Sequence, residues 1–307
     1  MASPVTFLRT RARLDATAVP GLCVASAMDP LRRLSMMDRW RWPDDARTTV
    51  RAGLDDDDVE RRALAAELAA RVMDDELAMR LLDVLFRDPD EVVRANAAIA
   101  FGPALEECDT SEWDDAFDEP PLGRACFSEV RRVLERTYRD AEAPKLVRRR
   151  ALEAAVRAPE AWQRGATRAA WLSQDDEWRT TAVFCMGYLG DFDAELLQAL
   201  EQPEHEHAAV IAAGLYGAEA AGTRVLELAR ACDDRELRVA AVEALGNLHP
   251  PGAHELLLDL SVGNDEALSA LASEALAFRG EGYTADFDED DDFLDDGNDD
   301  DDDEDLV

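Results

Sequence analysis

Lysine is nearly missing from this chain of 307 residues: among 33 basic residues only Lys145 is not an arginine. Bases as a whole are outnumbered about two to one by 68 carboxylates, which leaves a net charge of -35. A charge of that sign repels polyanions, so nucleic acid and anionic membrane are poor partners for the bulk of the surface. Cysteines are few and scattered, at 23, 108, 126, 185 and 232, with no Cys-x-x-Cys pair. An odd, dispersed set argues against a disulfide framework and a zinc knuckle, and for small buried side chains in a reducing cytoplasmic compartment. No run approaches the roughly 18 apolar residues of a membrane helix. The first fourteen residues are broken by Arg9, Arg11 and Arg13, so no signal peptide is expected. Glycine-rich phosphate loops, Gly-x-Ser-x-Gly elbows and His-Glu-x-x-His pairs are all missing. Carboxylates are so abundant that no pair stands out as catalytic. His205 and His207 form a His-x-His that diverges on a helix and has no strong third ligand; His249 and His254 complete the set. The expectation is no catalytic residue, no cofactor and no metal.

Hydrophobic residues still make up 47% of the chain, enough for a packed core. Alanine, leucine, glutamate and arginine dominate, and all are strong helix formers. One pattern recurs: an acid, then Val/Leu-Arg, then alanines, then a small residue. It reads DDVERRALAAELAA around Arg62, DEVVRANAAIAFG around Arg94, DDEWRTTAVFCMG around Arg179 and DRELRVAAVEALG around Arg238. Weaker copies surround Arg148, Glu206 and Ser269. The spacings between these seven positions are 32, 54, 31, 27, 32 and 31 residues. Such a period marks a stack of supersecondary units.

Within a copy the apolar positions follow helical spacing: Leu237, Ala240, Ala241, Ala244, Leu245 and Leu248 fall on one stripe. A second amphipathic segment lies upstream of each, so a unit is two helices joined by an acidic turn. Asp58, Asp90, Asp175, Asp234 and Asp265 stand four residues before the repeated position, where an N-cap is expected. Gly187, Gly190, Gly214, Gly217 and Gly246 fall where second helices are expected to end.

The pattern resembles the HEAT-repeat family, in particular the HEAT-like repeats named after phycobilisome lyases. The matching residues are DPDEVVRANAAIAFG at 88–102 and DDRELRVAAVEALGNL at 233–248, within a region of about 44–279. The resemblance implies an all-α, right-handed α-solenoid of about seven HEAT-like helix pairs. It also implies a stabilising ladder of the recurrent Asp and Arg, to which Arg62, Arg94, Arg148, Arg179 and Arg238 would contribute; Glu206 and Ser269 depart from it. Some members of the family attach bilin chromophores, and others excise alkylated bases. No residue set here marks either activity.

Three segments break the rhythm. Residues 1–43 read as an amino-terminal capping segment, with Asp29-Pro30 opening a short helix and Arg39-Trp40-Arg41-Trp42 after it. Residues 106–121 carry eight acids and no base, with Trp113 and Phe117 interleaved, and read as an exposed loop or a docking loop with two aromatic anchors. From 281 onward there are 16 acids in 27 residues, so a disordered acidic carboxy-terminal tail is expected. Between Arg124 and Arg168 lie twelve bases, a local positive stretch on which that tail is expected to compete with acidic ligands. The chain therefore reads as a non-catalytic scaffold or adaptor that binds a partner protein, one with an acidic segment, along the solenoid. The candidate partner-binding residues are Arg131, Arg132, Arg148, Arg149, Arg150, Arg179, Trp113 and Phe117. The rival reading is a bilin-lyase-like or nucleic-acid-repair enzyme.

Overall fold

The computed structural model describes residues 28–110 and 120–283. Expectations that fall on residues 1–27, on Trp113 and Phe117, or on the acidic segment from 284 onward lie outside the described residues. Among the described residues every regular element is a helix. Helix α1 (Pro30–Ser35) comes first, capped by Asp29, whose side chain accepts from the Leu31 N–H at 3.2 Å. Then α2 (Ala46–Gly53) packs on α3 (Val59–Ala69), and α4 (Asp75–Arg87) on α5 (Glu91–Ile99). A short α6 (Gly102–Thr110) opens the long interval between the second and third repeats. The pairing then resumes: α7 (Arg124–Arg139) with α8 (Lys145–Ala155), α9 (Ala161–Trp171) with α10 (Asp176–Leu189), and α11 (Asp193–Leu200) with α12 (Glu206–Tyr216). The last pairs are α13 (Gly222–Ala231) with α14 (Arg235–Ala244), and α15 (Ala253–Ser261) with α16 (Glu266–Tyr283).

The chain is thus an all-α solenoid of seven stacked helix pairs. Each of the seven repeated sequence positions lies on the second helix of its pair. These helices form one layer in which α3, α5, α8, α10, α12, α14 and α16 touch in succession. The first helices make the other layer. The apolar stripe read from the sequence of α14 is buried throughout, with Ala241 and Leu245 at 0% exposure. The core runs the length of the stack in two clusters that meet at the partly buried Trp162. One runs from Leu31 to Ala158, the other from Leu152 to Ala275. Leu31 and Leu34 of α1 cover the exposed end of the first pair. No helix among the described residues is long and apolar enough to cross a membrane.

All five predicted aspartates cap second helices. Asp90, Asp175, Asp234 and Asp265 each accept from two backbone N–H groups of the first turn, and Asp58 accepts from one. The glycines divide into two kinds. Gly190 and Gly217 end α10 and α12 with positive φ, as expected. Gly187 and Gly214 instead lie inside those helices. A Cβ on Gly187 would meet the Ala212 Cα at 2.9 Å, and one on Gly214 would meet the Ala244 Cα at 2.8 Å. These glycines let three second helices approach backbone to backbone.

That contact decides the sign of a substitution. In an open helix Gly→Ala gains about 1 kcal/mol of propensity. At Gly214 overpacking against immovable backbone costs about 1–3 kcal/mol, which wins. Gly214→Ala is expected to lower the thermal midpoint. Gly165→Ala on α9, where nothing lies within 4 Å of the added carbon, is expected to raise it. Circular-dichroism melts of the two variants check both signs.

Candidate interaction surface

The repeated arginines have a different task from the one the family resemblance implies. Arg94 Nε donates to the Leu85 carbonyl at 2.8 Å, Arg148 Nε to Tyr138 at 2.9 Å and Arg238 Nε to Ala229 at 3.0 Å. Each acceptor lies in the last turn of the first helix of the same pair. The arginine therefore caps carbonyls that the helix itself leaves unpaired, at the negative end of its dipole. In the seventh pair Ser269 Oγ donates in the same way to the Ser261 carbonyl, so serine keeps the role with a shorter side chain. Of these arginines Arg62 does bridge pairs through an aspartate, gripping Asp88 at 2.8 and 3.3 Å. That bond raises its pKa further. Arg179 bonds to the Gln202 side chain and lies 4.9 Å from the Trp171 ring centroid. An Asp–Arg ladder along the whole stack is thus corrected to three carbonyl caps at Arg94, Arg148 and Arg238, with Arg62 bridging to Asp88 and Arg179 to Gln202 of the next pair.

The candidate partner-binding arginines are not gathered at one site. Arg131 and Arg132 lie on α7, in the first-helix layer. Arg131 pairs with Glu160 at 2.9 Å and stacks 5.1 Å from the Phe127 centroid. Arg132 Nε holds Glu129 at 2.9 Å and lowers that carboxyl's pKa. Arg148, Arg149 and Arg150 are on α8, and Arg179 is on α10, in the other layer. Arg148 sits between Tyr138 and Trp178, 5.9 and 5.6 Å from their centroids. Trp113 and Phe117 lie outside the described residues.

Two of these arginines belong to a polar network that the repeat pattern did not reveal. Glu153 of α8 is buried, 5% exposed, and is held by Arg150 and by Thr181 Oγ1 of α10 at 2.6 Å. Arg149 Nε donates to the same Thr181 oxygen at 2.9 Å and reaches Glu177 at 3.3 Å. Lys145 joins Asp175 at 2.8 Å and also Glu177, holding both carboxyls below the usual range. The network ties the third pair to the fourth. Thr181 stands two residues after a repeated arginine, where the other copies carry Leu64, Asn96, Arg150, Ala208, Ala240 and Leu271; a residue that varies this much gave no local signal of the contact.

The thiols of Cys108, Cys126 and Cys185 are packed in the core. Burial pushes Cys108 up to about 11 and Cys126 up to about 12, and raises Cys185 well above its ordinary value. His205 is buried and His207 exposed, so the His-x-His does not converge. Both His205 ring nitrogens lack a partner. The ring lies 6.0 Å from Trp171. Desolvation, then the charge of Arg179, lowers its pKa, while Glu204 and Asp176 oppose the shift. Glu243 on α14 is raised to about 7 by burial and by Glu274 of α16.

Two clefts open on the surface. One, of about 380 Å³, is rimmed by Asp55, Asp56, Asp57, Asp83 and Asp88 with Arg62, Arg80 and Arg87 between them. The other, of about 390 Å³, lies between α4 and α7; Met79, Leu82, Phe86 and Val133 line it with the charged Asp83, Arg87, Glu129 and Arg136. The repeat motif sits on second helices, so it did not point to this groove between first helices.

No family model matches the sequence, and no curated protein matches it. Among solved structures, the chain is similar to Escherichia coli YibA at 13% identity and a TM-score of 0.42, over 84% of this chain and 99% of that one. It is similar to an engineered protein at 17% identity and a TM-score of 0.41, over 82% and 76% respectively.

Thr181→Val removes the hub between Arg149 and Glu153 and is expected to cost about 1–3 kcal/mol in guanidinium unfolding, because Glu153 stays buried with one partner fewer. The titrations act in opposite directions. His205 has a lowered pKa in the folded state. Its contribution is therefore present above the ordinary value of 6.5 and is lost as pH falls below it. Glu243 has a raised pKa. Its contribution is full below 4.5 and is lost as pH rises toward about 7. Glu243→Gln is expected to flatten the alkaline side of a stability–pH curve, and His205→Phe the acid side.

Proposed function

We propose that this chain is a non-catalytic scaffold or adaptor of the HEAT-like kind, acting in the cytoplasm and holding a partner protein on its helical surface. The observation that carries this reading is the seven-step second-helix layer. Helices recur in register at each step, which suits recognition of an extended partner by repeated small contacts. The engagement of Arg148, Arg149, Arg150 and Arg179 in caps, ring stacks and the Glu153 network supports a structural part for them. Side chains on the outer faces are then the better candidates for partner contact. An acidic partner segment suits the arginine-rich helices α7 and α9.

The test is affinity purification of the full chain from its source cells after crosslinking. A carboxylate-directed crosslinker is required, because Lys145 is the only lysine and is ion-paired. One protein in stoichiometric yield, joined to at least two consecutive helix pairs, is the expected result. A bilin chromophore in the purified protein, or nucleic acid bound in a salt-sensitive manner, would overturn the reading in favour of a lyase or repair enzyme.

A further inference from the structure

Helices α4 and α7 run side by side in the same direction. The Gly123 N–H, at the start of α7, donates to Asp75 Oδ1 at the start of α4, at 2.8 Å. Toward their other ends the Arg136 guanidinium lies 5.6 Å from the Phe86 ring centroid. The groove between them has an apolar floor: Leu82 is 5% and Val133 2% exposed. Its rim carries two apolar side chains open to solvent, Met79 at 54% and Phe86 at 45%, among the charged Asp83, Arg87, Glu129 and Arg136. Met79, Leu82 and Phe86 fall at i, i+3 and i+7, so they form one stripe of α4. The stripe spans about 10 Å at 1.5 Å per residue, the separation of two turns on a facing helix.

Charge selects the occupant. Asp83 is already held by Arg80 at 2.7 Å and by Arg87 at 3.0 Å, and Glu129 by Arg132 at 2.9 Å. Arg136 has no carboxylate at ion-pair distance among the described residues. Across 79–87 and 129–139 there are six arginines against three carboxylates, in a chain of net charge -35. A second copy of so acidic a chain is repelled, whereas an acidic flank on a foreign helix meets Arg136.

We propose that the α4–α7 groove docks an amphipathic helix of a partner protein, with apolar residues two turns apart along one face and carboxylates on its flanks. This rests on the scaffold reading and names the partner's chemistry. Phe86 and Met79 are the apolar contacts, and Arg136 is the charge that separates acidic from neutral helices.

The probe is a synthetic amphipathic helix of about five turns, leucine on one face and glutamate on the flanks, labelled with fluorescein. A second probe carries glutamine in place of glutamate. Anisotropy titrations use the full chain at physiological salt. Saturable binding of the glutamate helix is expected, about tenfold weaker for Phe86→Ala and for Arg136→Glu. The Arg136→Glu loss is expected to be much smaller with the glutamine helix. Circular dichroism verifies folding; Met79→Gln, on the exposed rim, stands in if Phe86→Ala unfolds. Equal binding by wild type and variants, or no saturable binding, overturns the groove assignment while leaving the scaffold reading to its own crosslinking test. Displacement of the probe by a peptide of residues 284–307 would assign the groove to the chain's own acidic segment. A dimer in sedimentation that Phe86→Ala dissolves would assign it to a second copy. Either result overturns the proposal.

Discussion

A pair of amphipathic helices has more apolar surface than it can cover by itself, and the whole structure follows from sharing that surface with the next pair. The shared interface is driest in the second-helix layer, where alanines dominate and backbones come close. Helix α12 shows the constraint most clearly. It has no aspartate cap and no repeated arginine, and its N-cap position is the buried His205. Yet it is held on both sides by close approach, Ala212 against Gly187 and Gly214 against Ala244. Where the polar signature lapses, packing of small residues maintains the stack.

The polar part of the repeat solves a second problem: each helix end carries unpaired backbone groups. Aspartates cover the amino ends of second helices, and arginines cover the carboxyl ends of first helices. One short motif thereby serves both helices of a pair. Arginine suits the second task better than lysine. Its fixed, planar fork can donate through Nε while its face rests on an aromatic ring, as Arg148 does between Tyr138 and Trp178. Arg157 behaves similarly, paired with Glu106 at 2.7 Å while stacked 4.9 Å from the Tyr188 centroid. The scarcity of lysine accords with this use at the positions where arginine both bonds and stacks.

The repeat leaves other surfaces unused. The arginines that attract attention in the sequence are engaged in holding the stack. Met79 and Phe86, on a first helix with no motif, stay half-exposed beside Arg136, which has no carboxylate at ion-pair distance among the described residues. A side chain committed to a cap cannot turn outward without uncapping a helix.

Periodicity, capping aspartates and apolar stripes are local properties, and from them the helix pairs, their number and the burial of residues such as Leu237 and Leu248 were readable in the chain alone. Gly190 and Gly217 were readable as helix ends for the same reason. Gly187 and Gly214 were not, since only a neighbouring backbone distinguishes a glycine that ends a helix from one that admits another helix. The partner of each repeated arginine likewise depended on which acceptor lay nearest in space: a carbonyl nine residues back for Arg94 and Arg238, an aspartate of the following pair for Arg62. The Glu153–Thr181 network and the α4–α7 groove join residues 28 or more positions apart, and no local spacing encodes such meetings. The sequence determined which faces must be covered; the packing of one pair on the next decided which side chains were used to cover them and which were left facing solvent.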